Sequence, residues 1–329
     1  RIDMEFEIVL GFFVFITGLC IGSFLNVVIL RALSEESIVF PASKCPKCQT
    51  PLKWWHNIPV ISYIGLRGKC AFCHEKISIQ YPIIELLTGY LFLSAYLKFG
   101  IDIKTIFAMC FLSMFIIIAM TDIKEHVCFD WHCYILAIFG LVYNFFNFGE
   151  LYTGHTFIFY TSFIASILGL LLGAGVIALI FGLGYLFFKG MVIGVGDILI
   201  AGALGACFGY KYILLILLGA FAIQVAIIVP LFLRKLYKKK NFKLLVPFLA
   251  FIGISIVEAL YFKYLDLGIM AINWLFAGVQ IIFGYYLVKQ ILATLPKNID
   301  EAQNNSDDAM RVPFGPALVA SALVFLFLH

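Results

Sequence analysis

The chain has 329 residues, of which 63% are hydrophobic and 13% charged, and its mean hydropathy is +1.03. Soluble globular domains carry about 25% charged residues, so the composition excludes that class and leaves an integral membrane protein. The net charge of +4 comes from short basic clusters between apolar runs, with no basic stripe interleaved with aromatics, which argues against nucleic acid as a partner.

Apolar runs long enough to cross a bilayer core of about 30 Å recur along the chain. In chain order they predict helices near Ile8–Leu30, Tyr81–Leu97, Ile103–Met120, Trp131–Phe148, Thr156–Phe188, Asp197–Gly209, Tyr212–Leu233, Leu244–Phe262, Ile269–Leu292 and Val312–Leu328. The fold class expected is an all-α polytopic membrane protein of about ten transmembrane helices with a small cytoplasmic zinc-binding loop domain. Arg1–Glu7 lacks the basic start of a signal peptide, and the run after it is too long for a signal core, so Ile8–Leu30 reads as the first span. Arg31, Lys44, Lys47, Lys53, Arg67, Lys69 and Lys76 place the first loop in the cytoplasm. Alternation then puts Lys124, Lys189, the run Arg234–Lys243 and Lys297 on the same side and the N-terminus outside. The organisation expected is a first helix at 1–31, a four-cysteine loop at 32–80, a catalytic membrane core at 81–233, a basic loop with an extra helix pair and an acidic linker at 234–311, and a final helix at 312–329. Glycines four apart, Gly18/Gly22 and Gly169/Gly173, predict close helix crossings, a packing role without chemistry.

Four of the nine cysteines fall in two knuckles, Cys45-Pro46-Lys47-Cys48 and Cys70-Ala71-Phe72-Cys73, with 21 residues between them. Two such pairs in a polar loop match the ligand set of a tetrahedral structural zinc. Facing a reducing compartment, they are not expected to form lasting disulfides. Four protein ligands leave no position for water, so the metal would be structural and would fold a loop too small for its own core. His74 is not needed as a ligand, and Cys20, Cys110, Cys128, Cys133 and Cys207 read as apolar thiols.

Two carboxylates abut apolar runs at the same predicted depth: Asp122 after Ile118-Ala119-Met120-Thr121, and Asp197 in Gly194-Val195-Gly196-Asp197. Ionisable groups at a membrane edge are functional candidates. Gly194 and Gly196 leave room for a substrate backbone to approach the carboxylate, which points to a protease. Two facing carboxylates share one proton, one activating water and the other donating to the scissile carbonyl. The dipole of the helix that Asp197 opens favours it as the anion, which leaves the proton on Asp122. Asp130 reads as an N-cap of the Trp131 helix, with a catalytic partnership as the alternative, and His126 reads as a loop histidine or a modulator of Asp122.

These residues converge. Gly22-Ser23-Phe24-Leu25-Asn26-Val27-Val28-Ile29-Leu30-Arg31, the two cysteine knuckles, Trp55-His56-Asn57-Ile58-Pro59, Arg67-Gly68-Lys69-Cys70, Tyr81-Pro82-Ile83-Ile84-Glu85-Leu86, Asp122 with Asp130, Gly194–Asp197 and Val312-Pro313-Phe314-Gly315-Pro316 resemble the type IV prepilin peptidases in order and spacing over nearly the whole chain. The resemblance implies a GxGD-type aspartyl protease of the bacterial cytoplasmic membrane, with its catalytic aspartates at Asp122 and Asp197. Its substrates would be type IV prepilins or type II secretion pseudopilins, its surroundings membrane lipid. Members with the four-cysteine loop typically also methylate the new N-terminus from S-adenosylmethionine, for which no donor site is readable. Peptidase activity alone and a proton-coupled transporter are the competing readings. The chain departs from the family at Phe129, where Pro is usual, at Leu199, where Lys is common, and in the helix pair Leu244–Leu292, since members usually have eight spans.

Overall fold

The computed structural model describes residues 2–34, 36–40, 42–125, 129–146, 162–188, 194–238 and 313–328, with short pieces between 245 and 278. Among these residues the regular structure is helical, with two isolated β-bridges in the first loop. The main helices are α1 (Ile2–Leu33), a short α2 (Ile61–Gly65), α3 (Gln80–Phe99), α4 (Ile103–Glu125), α5 (Asp130–Phe146), α6 (Phe163–Phe188), α7 (Val195–Lys238) and α8 (Gly315–Leu328). Five described helices are long and apolar enough to cross a membrane: Glu5–Leu33, Gln80–Phe99, Ile103–Glu125, Phe163–Leu183 and Val195–Arg234. The last contains two of the predicted spans, because Gly209 with φ 74° and ψ 172° breaks the helix where the sequence places the boundary. All of the span Ile269–Leu292 but Gly278, and much of Leu244–Phe262, lie outside the described residues.

The chain forms two compact units, Arg1–Phe221 with Pro313–His329, and Ala222–Val312. The second comprises the last part of α7, which contains Pro230, and helical residues from Leu245, whose side chain is buried against Phe232 and Leu233.

Within the first unit the packing follows from small residues. A Cβ on Gly18 of α1 would stand 2.7 Å from the Gly89 Cα, and one on Gly22 would stand 2.8 Å from the Glu85 Cα, so α1 and α3 touch backbone to backbone. The α6–α7 crossing repeats the device, since a Cβ on Gly169 would lie 2.6 Å from the Gly209 carbonyl carbon. Both glycine pairs thus have the packing role expected of them. Between the helices, Phe111, Leu112, Phe115 and Ile118 of α4 and Ile200, Leu204 and Phe208 of α7 are almost wholly buried. Polar side chains then join the helices: Asn144 Nδ2 donates to the Ala206 carbonyl at 3.1 Å and Ser321 Oγ to the Ile216 carbonyl at 2.8 Å. Each such bond is worth roughly 0.6 kcal/mol inside a membrane. Together they fix the heights of α5, α7 and α8 and hence the ends that carry the acidic residues.

Candidate active site and metal cluster

The two cysteine knuckles are folded alike. In the first, Cys45 N–H donates to the Thr50 carbonyl at 3.0 Å and Gln49 N–H to the Cys45 carbonyl at 2.9 Å; in the second, Cys70 N–H donates to Glu75 at 2.8 Å and His74 N–H to Cys70 at 3.1 Å. Gln49 and His74, each just after the second cysteine, both take φ 56°, a left-handed turn that swings the chain back on itself. An isolated bridge closes each loop, Lys44 to Pro51 and Lys69 to Lys76. The four thiols face one another with all sulfurs within 4.8 Å, and Cys45 Sγ lies 3.8 Å from Cys73 Sγ. Tetrahedral zinc with Zn–S bonds of about 2.3 Å sets its sulfurs roughly 3.8 Å apart, so the cluster fits a four-thiolate metal.

The thiols are not equivalent. Hydrogen bonds with Thr50 hold Cys48 down at about 6, and the backbone N–H groups of Cys73 and Phe72 hold Cys70 below its ordinary value. The Glu75 N–H draws Cys73 down as well, but burial and the neighbouring thiols outweigh it and push that group up to about 11. Such a crowded set releases protons when a cation enters.

Asp122 is buried in the last turn of α4, and Asp197 sits in the first turn of α7. Gly315 lies between the two helices that carry them, against Asp122 of α4 and against Ile200, three residues past Asp197 in α7. Each carboxylate is held by a backbone amide: Gly194 N–H reaches Asp197 Oδ2 at 3.3 Å, and Gly315 N–H reaches Asp122 Oδ2 at 2.9 Å. Gly315, the first residue of α8, has no room for a side chain, because a Cβ there would meet Asp122 Oδ2 at 2.5 Å and Ile200 Cδ1 at 3.0 Å. Three helix ends therefore converge at one point, each through a residue near a terminus where the backbone amides or carbonyls lack helical partners.

Against that geometry, residues 16–99 match the Bacterial Peptidase A24 N-terminal domain and residues 109–229 match the Type IV leader peptidase family. A prepilin leader peptidase/N-methyltransferase of Legionella pneumophila is 30% identical over 280 residues, covering 78% of this chain and 91% of the relative. The chain belongs to the prepilin leader peptidase/N-methyltransferase family. Proteins carrying the same name in Myxococcus xanthus and Neisseria gonorrhoeae are 43% and 37% identical over 115 and 153 residues, 35% and 39% of this chain. Those matches span 34% and 54% of the relatives' own lengths. No solved structure matches. Neither family match reaches residues 230–312, where the sequence predicts an extra helix pair.

Measured against the sequence reading, the four cysteines form one cluster, and Asp122 and Asp197 stand at helix ends that meet near Gly315. Gly194 and Gly196 flank Asp197, the former in contact with it, while Asp130 lies exposed at the start of α5. His126 and Cys128 fall outside the described residues. Two participants had no role assigned from sequence. Gly315 lay inside a quoted motif, but a glycine's partner across 193 positions is a tertiary fact. Glu85, 5% exposed, accepts the Val60 N–H at 2.7 Å and so pins the cysteine loop to α3. Val60 takes φ 59°, rare for a β-branched residue, and the Glu85 bond helps hold that strain.

Proposed function

We propose that the chain is an aspartyl endopeptidase that removes the leader from type IV prepilins or pseudopilins, with Asp122 and Asp197 as its catalytic pair, and that it methylates the new N-terminus from S-adenosylmethionine. The observation that carries the reading is the meeting of the ends of α4, α7 and α8 at Gly315, whose amide holds Asp122 and whose Cα abuts Ile200, three residues past Asp197. Two carboxylates facing each other across a gap of about 3 Å share one proton, and the reading takes the pair to work in that way. The ionised member takes a proton from water, whose oxygen attacks the scissile carbonyl carbon, while the protonated member donates to the carbonyl oxygen. Collapse of the tetrahedral intermediate then breaks the C–N bond, and the departing nitrogen takes a proton back from the pair. Gly315 N–H orients the Asp122 carboxyl, and Gly194 and Gly196 leave an open approach for an extended backbone. Asp130, exposed nearby in sequence, supports the site without taking part in proton transfer. The pairing of both activities in the relatives' names supports the second activity.

In this reading Cys45, Cys48, Cys70 and Cys73 hold a structural zinc, and the cation supplies the folding free energy that a loop of this size lacks. Ten spans with the N-terminus outside put the aspartates and the cysteine loop at the cytoplasmic face of the inner membrane. The divisions at residues 31, 80, 233 and 311 follow from that topology.

The test is incubation of the detergent-purified protein with a prepilin, with and without S-adenosylmethionine, reading product mass. Loss of the leader in the unaltered protein, but not in Asp122→Asn or Asp197→Asn, is the expected result. Cleavage surviving in either variant would show that the carboxylates are wrongly assigned.

A further inference from the structure

One cavity of the first unit is lined by neither aspartate. It encloses about 910 Å³ between the loop end of α1, the cysteine loop and the start of α3, with Lys124 as its lining residue from α4. Sites for small cofactors run from about 300 to 1,000 Å³, so the space admits a nucleoside-sized molecule. Its wall carries two unusual groups. His56 lines it, its ring set edge-on against Trp55 and Phe72, and its Nδ1 is buried with no hydrogen-bond partner. Glu85 lines it too, 5% exposed, held by the Val60 N–H and paired with no basic side chain among the described residues. A buried carboxylate without a counter-ion is costly, and a cation beside it lowers the cost.

We propose that this cavity is the S-adenosylmethionine site, with the Glu85 carboxylate facing the positive charge of the donor and His56 Nδ1 hydrogen-bonding to it. The inference rests on the methyltransferase reading above and gives it a location. S-adenosylmethionine needs three kinds of recognition, and the lining holds all three. A carboxylate suits the permanent sulfonium charge, Tyr63 and Tyr81 offer aromatic surface to the adenine, and Lys124, exposed at the edge, suits the ligand's carboxylate. Arg31 is engaged with the Ser37 and Ile38 carbonyls and shapes the wall. When bound, the donor supplies a methyl group: the lone pair of the neutral amine forms the N–C bond, the C–S electron pair stays on sulfur, and the product is a protonated secondary amine with S-adenosylhomocysteine. Lys124 lies two residues beyond Asp122, about 3 Å along the α4 axis but on the opposite side of the helix, so the cavity and the aspartate pair share one end of α4 and the freed amine has to pass round that end to reach the donor.

The test measures equilibrium binding of S-adenosylmethionine and, separately, of uncharged S-adenosylhomocysteine to the full-length, zinc-loaded protein in detergent by calorimetry. Glu85→Gln keeps an oxygen to accept the Val60 N–H and removes only the charge. It is expected to weaken S-adenosylmethionine about tenfold or more and S-adenosylhomocysteine far less. A variant that merely loosened the loop would weaken both equally, and that result would overturn the proposal. His56→Phe keeps the ring contacts and loses the nitrogen, with an expected loss of about three- to tenfold for both ligands. Photo-crosslinking of radiolabelled S-adenosylmethionine to the unaltered protein reports without any mutation. Label in peptides from 20–85 supports the site, and label confined elsewhere overturns it. No binding at all by the unaltered protein that still cleaves a prepilin would overturn the methyltransferase reading itself, whereas normal binding in both variants would overturn only its location.

Discussion

The cysteine cluster and the aspartate pair are built in opposite ways. The cluster is closed by hydrogen bonds no more than ten residues long, and its most distant thiols are 28 positions apart. The aspartate pair draws on three helices, and its Gly315 amide reaches Asp122 across 193 positions. Local turns therefore set the first site, and helix packing sets the second. A change in one should leave the other standing, since each depends on different contacts.

The largest expected effect follows from removing a carboxyl of the proposed catalytic pair. Asp122→Asn or Asp197→Asn should lower the rate of leader cleavage by about 10²–10⁴-fold, read as product mass over time. The metal content of the same protein should stay at that of the unaltered chain, because the knuckles are closed by their own backbone hydrogen bonds. Zinc lost together with cleavage would break the separation between the sites.

Next in size is Gly315→Ala. The added Cβ would stand 2.5 Å from Asp122 Oδ2, so either the carboxyl or α8 must move. A displacement of about 1 Å at a reacting group costs on the order of 10²-fold, and a kcat loss of that order with little change in KM is the expected outcome. Normal kcat would mean that Asp122 does not depend on α8. A milder perturbation separates the sites by pH. Zinc binds thiolates, so its apparent affinity rises with pH while thiols remain protonated. Cys73, near 11, gives a proton dependence throughout the neutral range, and Cys48 adds its own once pH falls below about 6. A competition titration with a chelator should therefore show log affinity climbing with pH, most steeply below about pH 6. A flat profile would mean that the metal does not sit on these four thiols.

The same contrast explains what could be read in the sequence. The knuckles were legible because the ligand spacing, the turn and the partner all lie within a few residues. Asp122 and Asp197 were legible as carboxylates abutting apolar runs, and the break at Gly209 as the gap between two runs. Gly315 as a donor and Glu85 as the anchor of Val60 were not, because each is defined by a residue on another element. Neither apolar periodicity nor spacing encodes which amide meets which carboxyl when helices pack. The glycines at 18 and 22 show the intermediate case: a close crossing was readable from their spacing, while the identity of its partner, α3 at Glu85 and Gly89, emerged only from the fold.

The smallest effect concerns His74. Its φ of 56° places it in the left-handed region, which costs an L-residue about 1–2 kcal/mol. Glycine adopts that turn without the steric cost but loses more chain entropy on folding, by roughly 0.5–1 kcal/mol. The two terms partly offset, so His74→Gly should stabilise the zinc-loaded loop by no more than about 1.5 kcal/mol. Its zinc content should be unchanged, because the four sulfurs already fit a tetrahedral set and a fifth ligand has no place in it. Metal analysis and a chelator titration of this variant beside Cys73→Ser check the point. Zinc kept by the histidine variant and lost by the cysteine variant shows that His74 contributes a turn. Loss from both would make His74 a ligand, and the symmetry of the two knuckles would then be a property of the backbone alone.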